Sequence, residues 1–178
     1  MKIVVSGGIG LGKSTAVRAA MKQLGWNEPG GFFTHWGGAG RGAAILYVET
    51  WAGEVHPMAR RISAPVGPEA RPYELDLAQF NRVAIGSISV PGRPVVIDEL
   101  GMIELGVADF IRAFVEVFRG PAPVLAVIQH RALEPWMRLI GPEHVTHLLQ
   151  VEPATRDALP AKIAAFFQSV EKSRTFFP

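Results

Sequence analysis

Cysteine is absent, which removes disulfides, thiolate nucleophiles and cysteine-ligated zinc from consideration. An excess of one charge is missing too. The 18 Lys and Arg residues face 16 Asp and Glu, leaving a formal charge of +2, and the basic residues are scattered. Without a basic tract there is no electrostatic footprint for nucleic acid. No apolar run approaches the ~20 residues of a membrane helix. The opening run from Met1 to Ser6 is too short for the core of a signal peptide. A cytoplasmic protein, bound neither to a membrane nor to nucleic acid, is the expectation, and the sequence names no protein partner. Repeats and low-complexity segments are also lacking. At 48% hydrophobic and 19% charged residues the chain can bury a core of its own. We read residues 1–178 as one domain, with 173–178 as a frayed tail.

What is present is a set of short Val/Ile-rich runs: Lys2 to Ser6, Pro94 to Asp98 and Pro123 to Gln129, with Val145 to Val151 as a fourth. None alternates cleanly, as expected for parallel strands covered on both faces. Between and after them lie helical patterns. Phe110, Ile111, Phe114, Val115 and Phe118 form one apolar stripe within a helix from Val107 to Phe118. Further helices are expected from about Leu75 to Ile88 and from Arg156 to Glu171, with Pro160 in the first turn of the last. From Gly30 to Met58 the glycines stand between β-prone pieces, Phe32 to Trp36 and Ala43 to Trp51. This predicts antiparallel strands. The fold class is therefore α/β, a mostly parallel sheet covered by helices, with an antiparallel β insertion at about 30–61 after the first helix.

The strongest chemical signal is Gly7-Gly8-Ile9-Gly10-Leu11-Gly12-Lys13-Ser14-Thr15. It fits the P-loop pattern at every fixed position, with a strand before it and a helical segment after it. Glycines let the backbone curl so that successive N–H groups point at phosphate oxygens. The helix N-terminus adds positive potential. Lys13 is expected on the β- and γ-phosphates, the Ser14 hydroxyl on Mg²⁺ and Thr15 near the α-phosphate. The ligand would be a nucleoside triphosphate such as ATP or GTP.

A second signal is Val95-Val96-Ile97-Asp98-Glu99, an apolar strand ending in two carboxylates. Asp98 suits a magnesium role, and Glu99 suits orienting and deprotonating a water for in-line attack. Glu104 is open between facing the site and capping the helix that starts near Val107. Arg41, Arg60, Arg61, Arg71, Arg131 and Arg156 are all candidates for charge near the γ-phosphate, and spacing does not choose among them. His144 and His147 read as surface residues. His130 closes the third apolar strand at the phosphate-facing edge and is open between sensing phosphate and capping a loop. Phe33 and Trp36 are open between base stacking and core packing. No Asn-Lys-x-Asp sequence occurs, so the guanine-reading pattern of regulatory GTPases is missing.

Taken in order, these motifs resemble the small P-loop nucleoside-triphosphatases of the thermophilic and cancer-related type. The resemblance runs from about Met1 to Ile163. It rests on the P-loop, Gly31-Phe32-Phe33-Thr34, Arg41-Gly42, Val66-Gly67 and Tyr73-Glu74-Leu75-Asp76. It continues through Ile97-Asp98-Glu99-Leu100-Gly101 with Glu104-Leu105, then Val151-Glu152-Pro153, Arg156-Asp157 and Leu159-Pro160. It implies a RecA-like sheet and slow Mg²⁺-dependent hydrolysis of several nucleoside triphosphates to diphosphate and phosphate. Lys13 and Ser14 would serve phosphate and metal, Asp98 the metal, Glu99 the water, and Arg156 the nucleotide. The sequence departs from the family where Met102 replaces a usual lysine, where His35 and Trp36 replace an acidic residue and an arginine, and at Ile128-Gln129-His130, where an Ile-His pair is displaced by one. A P-loop kinase for a nucleoside or small metabolite, and a non-catalytic nucleotide switch, are the alternatives.

Overall fold

Why the apolar runs carry no alternation is plain once they are assembled, because they stack side by side with helices on both faces. The computed structural model describes residues 1–37, 44–62 and 73–175, with side chains through residue 170. The elements are β1 (Lys2–Gly7), α1 (Lys13–Leu24), β2 (Gly30–Trp36), β3 (Ile45–Thr50), β4 (Val55–Arg61), β5 (Tyr73–Leu75), α2 (Leu77–Ile88), β6 (Val95–Leu100), α3 (Ala108–Arg119), β7 (Val124–Gln129), α4 (Leu133–Ile140), β8 (His147–Val151) and α5 (Leu159–Thr175). They build one mixed sheet in the order β5-β4-β3-β2-β6-β7-β1-β8. The run β2-β6-β7-β1-β8 is parallel throughout. Counted along the chain, those five strands take the order 2-3-4-1-5, the RecA-like arrangement that the family resemblance implies. The expectations placed on Arg41, Gly42, Val66, Gly67, Arg71 and residues 176–178 lie outside the described residues.

The antiparallel part begins one strand later than the glycine pattern suggests and runs further. β2 pairs parallel with β6 from Gly30↔Val95 to Phe33↔Asp98 and so belongs to the central sheet. The antiparallel addition is β3, β4 and β5, ending at Leu75. Gly31 explains the misleading glycine. Its φ is +100°, and a Cβ there would lie 2.1 Å from the Val96 carbonyl oxygen. Only glycine lets β2 run this close to β6. Burial alternates along β3, as it should where a strand leaves the doubly covered sheet.

Helices α2, α3 and α4 pack on one face of the sheet, and α1 and α5 on the other. The first layer is mostly aromatic. Phe80, Phe110, Phe114, Phe118 and Trp136 are fully buried, as is Phe32 from β2. They meet in largely edge-to-face contacts, such as Phe32–Phe80 at 5.9 Å and Phe114–Trp136 at 5.6 Å. Three of these, Phe110, Phe114 and Phe118, belong to the predicted stripe of α3, whose other members, Ile111 and Val115, are half-buried. Each buried ring contributes about 1.5–3 kcal/mol relative to exposure. On the opposite face Val17, Ala20, Ile163 and Phe167 close over Ile3, Val5 and Val127.

Two helix starts differ from expectation. α2 begins at Leu77, because Asp76 caps it by accepting from the Gln79 N–H at 2.9 Å. α5 begins at Leu159, three residues late, since Pro160 has no N–H to donate to Arg156. No helix among the described residues is long and apolar enough to cross a membrane.

Candidate functional site

In a parallel sheet the C-terminal strand ends share one edge, and loops leaving that edge can converge. Here Gly7 ends β1 level with Gln129 of β7 on one side and Val151 of β8 on the other. A Cβ on Gly7 would meet the Val151 carbonyl oxygen at 2.9 Å, so the chain can turn out of the sheet only as glycine. The loop then passes through Gly12, left-handed at φ 87°, into α1 at Lys13. Gly12 supplies no side-chain cap, and the first turn holds no acidic residue. The amides of that turn are left for an incoming anion.

Lys13 is folded back over its own loop and is only 8% exposed. Its ammonium donates to the carbonyls of Gly8 at 2.9 Å and Gly7 at 3.2 Å. It also lies 3.7 Å from Glu99 Oε2. Ser14 donates to Asp98 Oδ1 at 3.1 Å. Thr15 follows it on the exposed side of α1, and Ile9 stands exposed at the loop tip. Asp98 is buried, and burial raises its pKa above the ordinary value. The Ser14 hydrogen bond opposes this, Glu99 adds to it, and Arg18 and Lys13 counter it. The β6–β7 ladder passes from Asp98↔Val127 to Leu100↔Ile128 and leaves out Glu99, and the Asp98–Glu99 peptide is cis.

Glu99 has a second partner that sequence spacing did not reveal. Gln129 Nε2 donates to Glu99 Oε1 at 2.8 Å, and Arg131 Nε donates to Gln129 Oε1 at 3.3 Å. Thirty residues separate Glu99 from Gln129; only the β6–β7 pairing brings them together.

Glu104 faces the site. It lies in a 3₁₀ turn, Glu104–Gly106, and accepts from the Gly101 N–H at 2.7 Å. No side chain caps α3 at Val107. Burial pushes the Glu104 carboxyl up to about 7, against its hydrogen bonds from backbone amides. The Gly101 carbonyl in turn accepts from the Trp136 indole at 3.0 Å.

These groups line a cleft of ≈ 600 Å³ whose walls include Lys13, Glu99, Glu104, Gln129 and Arg131. Met102, His130, Thr34 and Trp36 also line it, and Arg61 stacks 4.8 Å from the Trp36 ring. Phe33 does not join them. It lies beneath Arg18, whose guanidinium is 4.3 Å from its ring and 5.1 Å from that of Trp51. Adjacent residues of a strand point to opposite faces, so Phe33 and Trp36 separate. Arg60 lines a different groove between β4 and β5. Arg156 is 54% exposed beside Asp157, on the loop after β8, and is not in the cleft wall. The two paired histidines go separate ways: His144 faces Glu143 at 3.5 Å, and His147 stacks on Phe166.

Comparison with known proteins identifies the family. A family model described as NTPase matches residues 2–164. The nucleoside-triphosphatase THEP1 of Methanosarcina acetivorans is 30% identical, over 94% of this chain and 97% of that protein. Its counterpart in Thermococcus kodakarensis is 31% identical, over 81% and 84%. Among solved structures, a human cancer-related nucleoside triphosphatase aligns with a TM-score of 0.75 at 27% identity, covering 94% of this chain and 97% of that one. The crystal structure of THEP1 from Aquifex aeolicus aligns at 0.69 and 23% identity, covering 93% and 98%, and speaks for the fold alone.

Proposed function

The chain belongs to the NTPase family and is a nucleoside-triphosphate phosphohydrolase, and we propose that it removes the γ-phosphate with Lys13 and Glu99, using Mg²⁺ held by Ser14 and Asp98. The observation that carries this reading is the meeting of Lys13 and Glu99, 3.7 Å apart, at the mouth of the P-loop.

The triphosphate lies along Gly7 to Thr15, its oxygens on the amides of Gly8, Ile9, Gly10, Leu11 and Gly12 and at the open end of α1. Lys13 exchanges its Gly7 and Gly8 carbonyls for the β- and γ-phosphate oxygens. The Ser14 hydroxyl and the Asp98 carboxylate fit Mg²⁺, since they are two hard oxygen donors already in contact. When bound there, the metal would neutralise charge on the phosphate groups. Glu99 orients a water in line with the γ-phosphorus and takes its proton, and the products are the diphosphate and phosphate. Arg156 serves the nucleotide from the loop after β8. Action as a single domain in the cytoplasm belongs to the same proposal.

Phosphate release from a panel of nucleoside triphosphates with Mg²⁺ and no added acceptor tests the reading. Steady release is expected, with Glu99→Gln keeping nucleotide affinity but losing ~10²-fold or more in rate. Near-normal release from Glu99→Gln would move the water-activating role elsewhere. Transfer seen only with an added hydroxyl acceptor would make the protein a kinase. Tight binding without release would make it a switch.

A further inference from the structure

A general base needs more than a carboxylate nearby, because one oxygen must be held so that the other faces the water. We propose that Gln129 is the positioning residue for Glu99, that Arg131 fixes the orientation of its amide, and that Gly101 is glycine in order to leave room for it. The inference rests on Glu99 acting as the base and goes beyond that reading by naming what aims it.

The hydrogen bonds divide the Glu99 carboxylate between two tasks. Oε1 accepts from Gln129 Nε2 at 2.8 Å, while Oε2 is the oxygen that faces Lys13 at 3.7 Å. Held by Oε1, the carboxylate presents Oε2 to the phosphate end of the cleft. A glutamine amide is ambiguous in principle, since either end can face a partner. Arg131 removes the ambiguity. A guanidinium has only donors, so the end of Gln129 that meets Arg131 Nε at 3.3 Å must be the carbonyl oxygen. The NH₂ end is thereby committed to Glu99. The chain of donors runs Arg131 to Gln129 to Glu99, and each link fixes the next.

Gly101 supplies the space. Its φ is not among the positive ones, so backbone conformation does not require glycine there. A Cβ at Gly101 would instead fall 2.8 Å from the Cδ, Oε1 and Nε2 atoms of Gln129. Those atoms are the far end of a flexible side chain. An alanine would therefore push the amide off Glu99 rather than collide with fixed backbone. The Gly101 backbone bonds to Glu104 and Trp136 can survive that change. A misplacement of about 1 Å at a reacting group can cost about 10²-fold in rate.

This yields two perturbations of different kind with one shared outcome. Gln129→Leu deletes the donor, and Gly101→Ala displaces it with Gln129 intact. Both should lower kcat by roughly 10- to 100-fold, with KM and the affinity for a non-hydrolysable triphosphate analogue within about threefold of the parent. A merely structural role would not make these losses depend on Glu99. Each substitution is therefore repeated in Glu99→Gln, where the further loss should shrink to about twofold or less, because residues acting as a unit are not additive. Normal kcat in folded Gln129→Leu and Gly101→Ala would overturn the proposal. So would losses of equal size in the parent and in Glu99→Gln, or losses confined to KM. The single variant Glu99→Gln separates the two levels of the argument. If it hydrolyses normally, the base assignment falls and the positioning role falls with it. If it is slow while the other two are fast, only the positioning role is lost.

Discussion

Replacing Glu104 by glutamine should stabilise the protein at neutral and alkaline pH and do little in acid. Glu104 is 3% exposed, and burial raises its carboxyl from an ordinary 4.5 to about 7. Below pH 4.5 the group is protonated in both folded and unfolded chains and exerts no pull on the equilibrium. Between 4.5 and 7 the unfolded chain releases the proton while the folded one keeps it, so stability falls as pH rises. Above 7 both are ionised, and the folded state carries the whole penalty. At roughly 1.36 kcal/mol per tenfold change in proton affinity, the gap amounts to about 3 kcal/mol. Glutamine stays neutral throughout, and its carbonyl oxygen can still accept from the Gly101 N–H. Asp98 is shifted in the same direction, but it is common to both proteins and cancels in their difference. Urea unfolding at a series of pH values from 4.5 to 8.5 reads the effect. With a slope of ~2 kcal/mol per molar urea, the midpoint of Glu104→Gln should draw ahead of the parent by ~1.5 M across this range. Two midpoint curves that stay parallel from pH 4.5 to 8.5 would refute the reasoning.

Other outcomes follow from the same geometry. Lys13→Ala should abolish triphosphate binding in a calorimetric titration, because it removes the cation from the centre of the phosphate loop. Chelating Mg²⁺ should stop phosphate release, and Asp98→Asn should raise the Mg²⁺ concentration needed for half-maximal rate. Phe114→Ala empties the centre of the aromatic layer and should cost about 3–5 kcal/mol in denaturant unfolding. Gly31→Ala puts a methyl into the Val96 carbonyl and should cost about 2 kcal/mol or more; an unchanged midpoint would mean that β2 and β6 can part without loss.

The candidate site was legible in the sequence wherever its residues are neighbours. Gly7 to Thr15, proposed above as the phosphate cradle, and Asp98-Glu99 are each contiguous, since a strand-to-helix loop and a strand end are local structures. Parallel strands showed themselves through Val and Ile runs, since covering both faces removes alternation. Gln129 and Arg131 were not legible as partners of Glu99, because their meeting depends on the register between β6 and β7. Glu104 could not be assigned between cap and cleft until the Gly101 amide was seen to face it. β2 was misleading for a different reason. Gly31 carries the composition of a hairpin turn but serves a close approach of two parallel backbones, and a sequence does not distinguish the two uses. The phenylalanine stripe of α3 was plain from its period. What it packs against was not, because Phe32, Phe80 and Trp136 come from three other elements.

The hydrogen bond from Trp136 to the Gly101 carbonyl joins the aromatic layer to the loop that shelters Gln129. Here Phe118 packs on Phe114, Phe114 packs on Trp136, and Trp136 donates to Gly101, so the rings and the Gly101 loop form one continuous set of contacts. On the role proposed for Gln129 and Gly101, repacking those rings would be expected to show in turnover as well as in stability.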